Sequence, residues 1–415
     1  MRHSFNSLCL TSGICLFVAC GGGSATDHGS GTPTDDGGTA GPQPDSGGPG
    51  SVDGSAVPPD STMPALSPTL LFATYAGGAG DQFVQDVGFD EHGVAYANGK
   101  GFSVTFDPMV GTGQITGDVT QAMDMATFKQ KPDLPKGGLS TNTLVDPRNG
   151  QTYTWGTHPN VAKSGVLCPS QCAGTCTVGQ AVTPLLQMAF LKSSAGWHDW
   201  DFSWSDCVNS CVIADSRGYD LWLSARGEIA GMWWTDGGDT PMKRDPKDVS
   251  KESSELFKGS FGTDPGGMGT LFFRADPVTG NVLSGTWLAT HVVFHTHDDW
   301  GRVYLTKAIA KRYGVSDNPD PKNPFGMSTK ASSGLMVLTS DLRQPEMNAY
   351  IGGDPATCAD TMNGIQILGA IQRRGNLVVL GGTTCATDFA TSANAVQKKH
   401  GGGQDAFIAV VKLWN

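Results

Sequence analysis

The chain is poor in charge, in helix-forming runs and in recognisable catalytic signatures. Only 16% of its 415 residues are charged, and acidic residues outnumber basic ones by 39 to 28, for a formal net charge of −11. A protein without a basic face is not built to neutralise phosphates, so no nucleic-acid partner is expected. There is no GxSxG, no HExxH, no P-loop and no convincing paired-carboxylate motif. The Asp-containing turns lack the loop spacing of an EF-hand calcium site. Neither a CxxCH haem signature nor a His-spaced zinc set is present. No catalytic residue, metal ligand or cofactor is therefore assigned from sequence. A constellation assembled from distant positions around an axis would leave no local signature.

What the chain has in excess is glycine and proline, 57 and 24 residues. Many short apolar strands separated by Gly-rich turns point to an all-β sandwich, barrel or propeller. The N-terminus differs from the rest. A weakly basic start (Arg2, His3) precedes an apolar run from about Leu8 to Ala19, too short for a spanning helix and suited to a secretory signal. The sequence Phe17-Val18-Ala19-Cys20 resembles a bacterial lipobox. That resemblance implies a signal peptide over residues 1–19, a lipidated Cys20 and localisation at the outer membrane, with exposure at the cell surface as an option. Residues 20–66 are Gly, Ser, Thr, Pro and Asp with almost no large apolar side chain. They cannot bury enough to offset their ordering entropy and read as a disordered tether. Residues 67–415 form the expected folded domain.

The C-terminal stretch Gly364–Leu413 sets the pattern for that domain. Two apolar runs, Ile365–Ile371 and Asn376–Gly382, flank an Arg-Arg-Gly turn and predict a β-hairpin. The phrase DFATSANAVQ, a Gly401–Gly403 turn and the apolar strand Ala406–Leu413 follow. Asp388-Phe389, Ala395-Val396-Gln397, Gly401–Gly403 and Asp405-Ala406-Phe407 resemble the bacterial β-propeller repeat known as SBBP, with Ala390 in place of the family's Pro. The resemblance implies a propeller and leaves the activity open.

Searching for the same hairpin gives five instances: Val84–Gly99, Asn142–Gly156, Cys211–Ala225, His291–Ala308 and the C-terminal copy. Their turn glycines, Gly93, Gly150, Gly218, Gly301 and Gly375, lie 57 to 83 residues apart, an interval suited to a four-stranded blade with a long loop. The second half of the unit is visible at Ala189–Lys192 with Trp200–Trp204, at Thr270–Ala275 with Val282–Leu288, and at Leu335–Asp341 with Asn348–Gly353. Between the first two hairpins only Ala126–Lys129 resembles it. The domain begins at Leu70–Gly78 with the last strand of a unit and ends with the third. The expectation is one propeller of five blades, with N- and C-terminal strands completing one blade and removing the free edges. Six or seven blades, or an open two-sheet sandwich, are the competing architectures.

In such a unit the connections between second and third strands are long: Gly101 to about Met125, Thr157 to about Leu186, Arg226 to about Met268, Lys307–Ser333 and Thr383–Gln404. They share one face, which becomes the expected binding surface. The cysteines sort onto it. The last hairpin brings Cys358 and Cys385 side by side as a disulfide. Cys168, Cys172, Cys176, Cys207 and Cys211 allow two further bridges and one leftover thiol, in pairings the spacing leaves open. Trp233 and Trp234 are expected at the start of a long loop, where exposed aromatics stack on sugars or anchor a partner, or else close the end of the core. His291, His295, His297, Asp298 and Asp299 could suit a metal but align with the turns of the other repeats, so a solvated turn is expected.

The resulting expectation is a lipid-anchored, non-catalytic envelope protein that binds a polysaccharide or another protein through its loop face. The alternatives are an exported carbohydrate-active or other hydrolase or lyase with an axial active site, and a structural subunit of a surface assembly.

Overall fold

A computed structural model describes residues 62–120, 140–158, 188–195, 200–201, 216–224, 226–235, 244–245, 248–252, 269–288, 294–308, 322–331, 333–358 and 367–415. The expected signal peptide, Cys20, most of the tether, and Cys168, Cys172, Cys176, Cys207 and Cys211 lie outside the described residues.

The described chain is all-β, with one 3₁₀ turn at Pro355–Thr357 and no α-helix. Strand β1 (Thr69–Ala76) comes first. Then β2 (Val84–Phe89), β3 (Ala95–Gly99), β4 (Phe102–Asp107) and β5 (Thr112–Gly117) make one antiparallel sheet. A second contains β6 (Ser140–Val145), β7 (Thr152–His158), β8 (Met188–Ser193) and β9 (Trp200–Asp201). In the third, β10 (Ser216–Leu223) and β11 (Ile229–Thr235) are followed by a two-stranded ribbon, β12 (Arg244–Asp245) with β13 (Asp248–Glu252). The sheet then resumes with β14 (Gly269–Ala275) and β15 (Val282–Leu288). The fourth is β16 (His295–His297), β17 (Val303–Ala308), β18 (Ser333–Leu338) and β19 (Pro345–Tyr350). The last, β20 (Ile367–Arg374), β21 (Leu377–Thr384) and β22 (Asp405–Lys412), takes β1 as its fourth strand in the order β20-β21-β22-β1. The expected pairing of the terminal strands is thus present, in antiparallel register from Thr69↔Lys412 to Ala76↔Ala406.

Neighbouring sheets share apolar cores. Phe72 of β1 stacks on Phe106 of β4 at 4.6 Å between ring centroids, within a cluster that includes Val87, Val379 and Val410. Tyr304, Leu335 and Val337 pack with Val378, Leu380 and Phe407, joining the fourth sheet to the last. Trp222, Met232 and Phe272 pack with Val303, Leu305 and Leu338, joining the third to the fourth. Short turns add polar links at one end of the sheets. Arg374 donates to the carbonyls of Asp90 and Glu91, Arg148 to that of Gly227 at 3.0 Å, and Arg343 to that of Leu283 at 2.9 Å.

The Asp- and Gly-containing hairpin turns close as their chemistry dictates. Oδ1 of Asp90, Asp146 and Asp298 accepts from the backbone N–H two residues on, at 2.9 to 3.0 Å. Gly93, Gly150 and Gly301 take the positive φ that a side chain disfavours.

Two expectations about the repeats are corrected. Gly218 is not a turn residue. It lies inside β10, and the hairpin turns instead at Ser224–Glu228, where Gly227 has φ +78°. Glycine is required at 218 for another reason: a Cβ there would stand 2.6 Å from the carbonyl oxygen of Gly156 on the neighbouring sheet. Residues 101–125 are also not one long loop. Lys100-Gly101 is a two-residue hairpin loop leading directly into β4, and β4 and β5 supply the half-unit that sequence placed at Ala126–Lys129, residues outside the described ones. The alternation of Phe102, Val104 and Phe106, all buried, is the signal that identifies β4.

The connection after β21 also departs from its expected role. It folds along the outer edge of β1, which would otherwise offer unpaired N–H groups. The N–H of Ala73 donates to Oγ of Ser392 at 3.0 Å, that of Tyr75 to the carbonyl of Gln397 at 3.1 Å, and that of Gly77 to Oε1 of Gln397 at 3.0 Å. Alternate residues from Ala73 to Gly77 are capped, which protects that part of the edge from pairing with another chain. Ser392→Ala with Gln397→Ala should therefore cost about 1–3 kcal/mol per buried donor left unsatisfied. Concentration-dependent light scattering should rise with it, and an unchanged denaturation midpoint would refute this role.

Candidate functional site

The densest chemistry among the described residues lies on the first strands of the third, fourth and last sheets. Asp220 and Trp222 project from β10, His295 and His297 from β16, and Arg373 from β20. Residues two apart on a strand share a face, which explains why His295 and His297 act together.

His295 is the pivot. Its Nε2 lies 3.0 Å from Oδ2 of Asp220, its ring is 5.3 Å from that of Trp222, and its side chain is 8% exposed. His297 stacks on Trp222 with 5.0 Å between centroids and 6° between planes. The carbonyl of His297 accepts from Arg373 at 3.4 Å, and the Arg373 guanidinium lies over Tyr304 and Trp414. Behind this group, Asp298 is 1% exposed and accepts from the Tyr304 hydroxyl at 2.8 Å and from the N–H of Arg302 at 2.9 Å. The expected solvated turn is corrected: only Asp299 is exposed, while His295 and Asp298 are packed between sheets. His291 lies outside the described residues. No group of three or more His, Cys, Asp or Glu among the described residues could hold a metal ion.

Electrostatics sort these groups by role. Burial drives the His297 imidazole down to about 4, helped by the neighbouring His295 and Arg373 and opposed by Asp220. His297 is therefore neutral at physiological pH. Burial acts to raise the Asp220 carboxyl, but His295 and His297 outweigh it and hold the group below its ordinary value. Asp298 is raised by burial, with Arg373 and the Tyr304 hydroxyl acting against that. Asp220 is crowded by protein, yet its side chain keeps 34% of its accessibility. A carboxylate in that condition is partly open to water rather than sealed in a core.

The depressed His297 value gives a pH dependence of definite sign. Between about 4 and its ordinary 6.5 the unfolded chain binds the proton and the folded chain does not. Stability contributed by His297 is present above pH 6.5 and lost as pH falls toward 4. NMR titration of the imidazole should give a midpoint near 4, and His297→Gln should flatten that part of the stability profile. A midpoint near 6.5 would overturn the assignment.

At the opposite end of the last sheet the expected disulfide is present. Cys358 and Cys385 are bonded with their Cα atoms 5.1 Å apart. The bridge joins the connector before β20 to the one after β21, and the N–H of Asp354 donates to Oδ1 of Asp388 beside it at 2.6 Å. Trp233 and Trp234 are not exposed aromatics. They are 0% and 8% exposed within β11, Trp233 packed against Phe273 at 4.7 Å and Trp234 under Arg217 at 5.1 Å. Their misplacement follows from the misplaced Gly218 turn, because moving the hairpin forward converts a loop start into a buried strand. Asp220 and Trp222 fall on the expected second strand of that hairpin and stand instead on its first strand, β10.

No family model and no curated protein matches the sequence. Among solved structures, a chain of a mitotic checkpoint complex is similar over 86% of this chain and 97% of its own, at 10% identity and a TM-score of 0.29. An ulvan lyase of polysaccharide lyase family 25 is similar over 77% of this chain and 86% of its own, at 10% identity and a TM-score of 0.23. The acylaminoacyl peptidase of Pyrococcus horikoshii is similar over 72% of this chain and 43% of its own, at 6% identity and a TM-score of 0.23. At such scores these likenesses carry no functional argument.

Proposed function

We propose that the chain is an exported envelope lipoprotein, anchored through Cys20, whose five sheets are the blades of a single propeller closed by β1. In this reading it binds an envelope polysaccharide or a neighbouring envelope protein without catalysis. The group formed by Asp220, His295 and His297 serves as its polar binding point. The observation that carries the reading is the meeting of first strands from separate sheets at one carboxylate–imidazole pair whose carboxylate stays partly accessible. Support for the ring comes from shared cores and turn contacts between successive sheets and from the pairing of the terminal strands. Support for export comes from the Cys358–Cys385 bridge, which belongs to an oxidising compartment.

The test is retention of the protein by peptidoglycan, lipopolysaccharide and capsular polysaccharide preparations, and by detergent-solubilised envelope proteins. One of these should retain the wild type, and Asp220→Asn or His295→Ala should weaken retention by about tenfold or more. Equal retention of wild type and variants would remove that group from the reading. A second reading, an exported hydrolase or lyase, is favoured by the Asp220–His295 pair, Nε2 to Oδ2 at 3.0 Å with the carboxylate partly accessible, a carboxylate–imidazole geometry that general acid–base catalysis uses. Release of new reducing ends or unsaturated sugars from the retained polymer would replace the binding reading with the enzymatic one.

A further inference from the structure

Antiparallel pairing gives each sheet two distinct ends. The turns after the first and third strands lie at one end, and the other connections lie at the opposite end. Hydrogen bonds between turns show that these turn ends adjoin from sheet to sheet. Gln151 donates to the carbonyl of Pro277 at 2.8 Å, Arg148 to that of Gly227, Arg374 to those of Asp90 and Glu91, and Arg373 to that of His297.

The folded chain is entered and left at this same end. β1 begins opposite the end of β22, at Thr69↔Lys412. Just before it, the N–H of Ser67 donates to the carbonyl of Leu413 at 2.8 Å, and the carbonyl of Pro64 accepts from the buried Arg302 at 2.6 Å. The carbonyl of Trp414 accepts from Asn376 at 2.8 Å, and its ring meets Trp300 edge-on at 5.8 Å.

Apolar exposure follows the same division. Of the five exposed large hydrophobic side chains among the described residues, four are at this end: Met109 at 89%, Val110 at 69%, Val145 at 52% and Val278 at 70%. The fifth, Val396, lies on the edge-covering connection. Met109, Val110 and Val278 occupy the tips of two related Asp-Pro turns, and each tip is held rigid by an Asp side chain accepting from the backbone. A rigid polar-based turn with an apolar tip enters a lipid headgroup layer with little ordering cost, and half-buried tryptophans such as Trp300 and Trp414 are suited to that layer.

We propose that this turn end is a membrane-facing surface, seated on the lipid layer that holds the Cys20 anchor, with the disulfide-braced end turned away from it. The inference rests on the lipid-anchor reading. The chain from Cys20 to Pro64 is long enough, about 35–40 Å in root-mean-square span if flexible, to let the domain tumble. Orientation is therefore set by the surface itself, through Met109, Val110 and Val278, and not by the tether.

Photocrosslinking of the full-length lipoprotein in vesicles of phosphatidylethanolamine and phosphatidylglycerol, with a radiolabelled phospholipid, tests the proposal. Met109→p-benzoylphenylalanine and Val278→p-benzoylphenylalanine should form lipid adducts severalfold above Lys398→p-benzoylphenylalanine, which reports the opposite end. These side chains are exposed, so folding tolerates the replacement. If the wild type floats with vesicles and Cys20→Ser does not, the anchor holds, and equal labelling at the three positions then overturns the surface alone. If the wild type fails to float, anchor and surface fall together. Crosslinks from residue 109 or 278 to a second copy, in place of lipid, also overturn the proposal.

Discussion

Glu346→Ala should destabilise the folded protein by about 3–5 kcal/mol, the cost of leaving a buried charge without its partner. Arg302 is 1% exposed and is fully engaged on one side. Its Nε donates to Oε2 of Glu346 at 2.6 Å, and its terminal nitrogen reaches Oε1 of Glu346 at 2.5 Å and the carbonyl of Pro64 at 2.6 Å. The same arginine therefore ties the fourth sheet to the segment that leads into β1. Removing the carboxylate strands a guanidinium that cannot shed its proton. Urea denaturation with the disulfide intact reads the loss. The double variant Arg302→Met with Glu346→Leu separates charge from packing, because removing both charges should restore most of the stability. A loss under 1 kcal/mol for Glu346→Ala would show that water reaches Arg302.

Cys358→Ala with Cys385→Ala should cost about 3.5 kcal/mol on a chain-entropy basis, given a bridge spanning 27 residues. The loop it closes contains the whole β20–β21 hairpin, so the bridge restrains the sheet that also receives β1. Local bonds alone do not replace it. The N–H of Thr387 donates to the Thr357 hydroxyl at 3.0 Å and Asp354 caps the 3₁₀ turn, but both contacts lie near the surface. The denaturation midpoint of the double variant should fall, and that of the wild type should fall at least as far on adding reductant, which opens this bridge and any other. A fall of less than 1 kcal/mol would mean that the unfolded chain is already restrained by other contacts.

Local chemistry was legible where a residue and its partner lie within one turn. Asp90, Asp146 and Asp298 announce their hairpins because each carboxylate bonds backbone N–H groups two to four residues away. Cys358 and Cys385 were legible for a related reason, since one hairpin returns the chain to its starting point. Gly218 shows the limit of such reading. Ser-Arg-Gly and Ser-Ala-Arg-Gly are both acceptable turns, and the glycine of the first serves instead for the close approach of the Gly156 carbonyl on another sheet. That single shift carried Trp233 and Trp234 from the start of a loop into a core strand.

The composition, the alternation of apolar residues and the terminal half-units determined by themselves that the chain is all-β, built of repeated antiparallel units, with β1 supplied to the last sheet. These are properties of backbone geometry and of side chains close in sequence. The tertiary structure alone decided that Ser392 and Gln397 cap an edge strand, and that Asp220 faces His295 across a gap of 75 positions. It also decided that His297 stays neutral. Each of those outcomes depends on which sheet packs against which, and on how much water that packing leaves behind. Burial and distance of this kind arise only when separate sheets meet, so no local stretch of sequence encodes them.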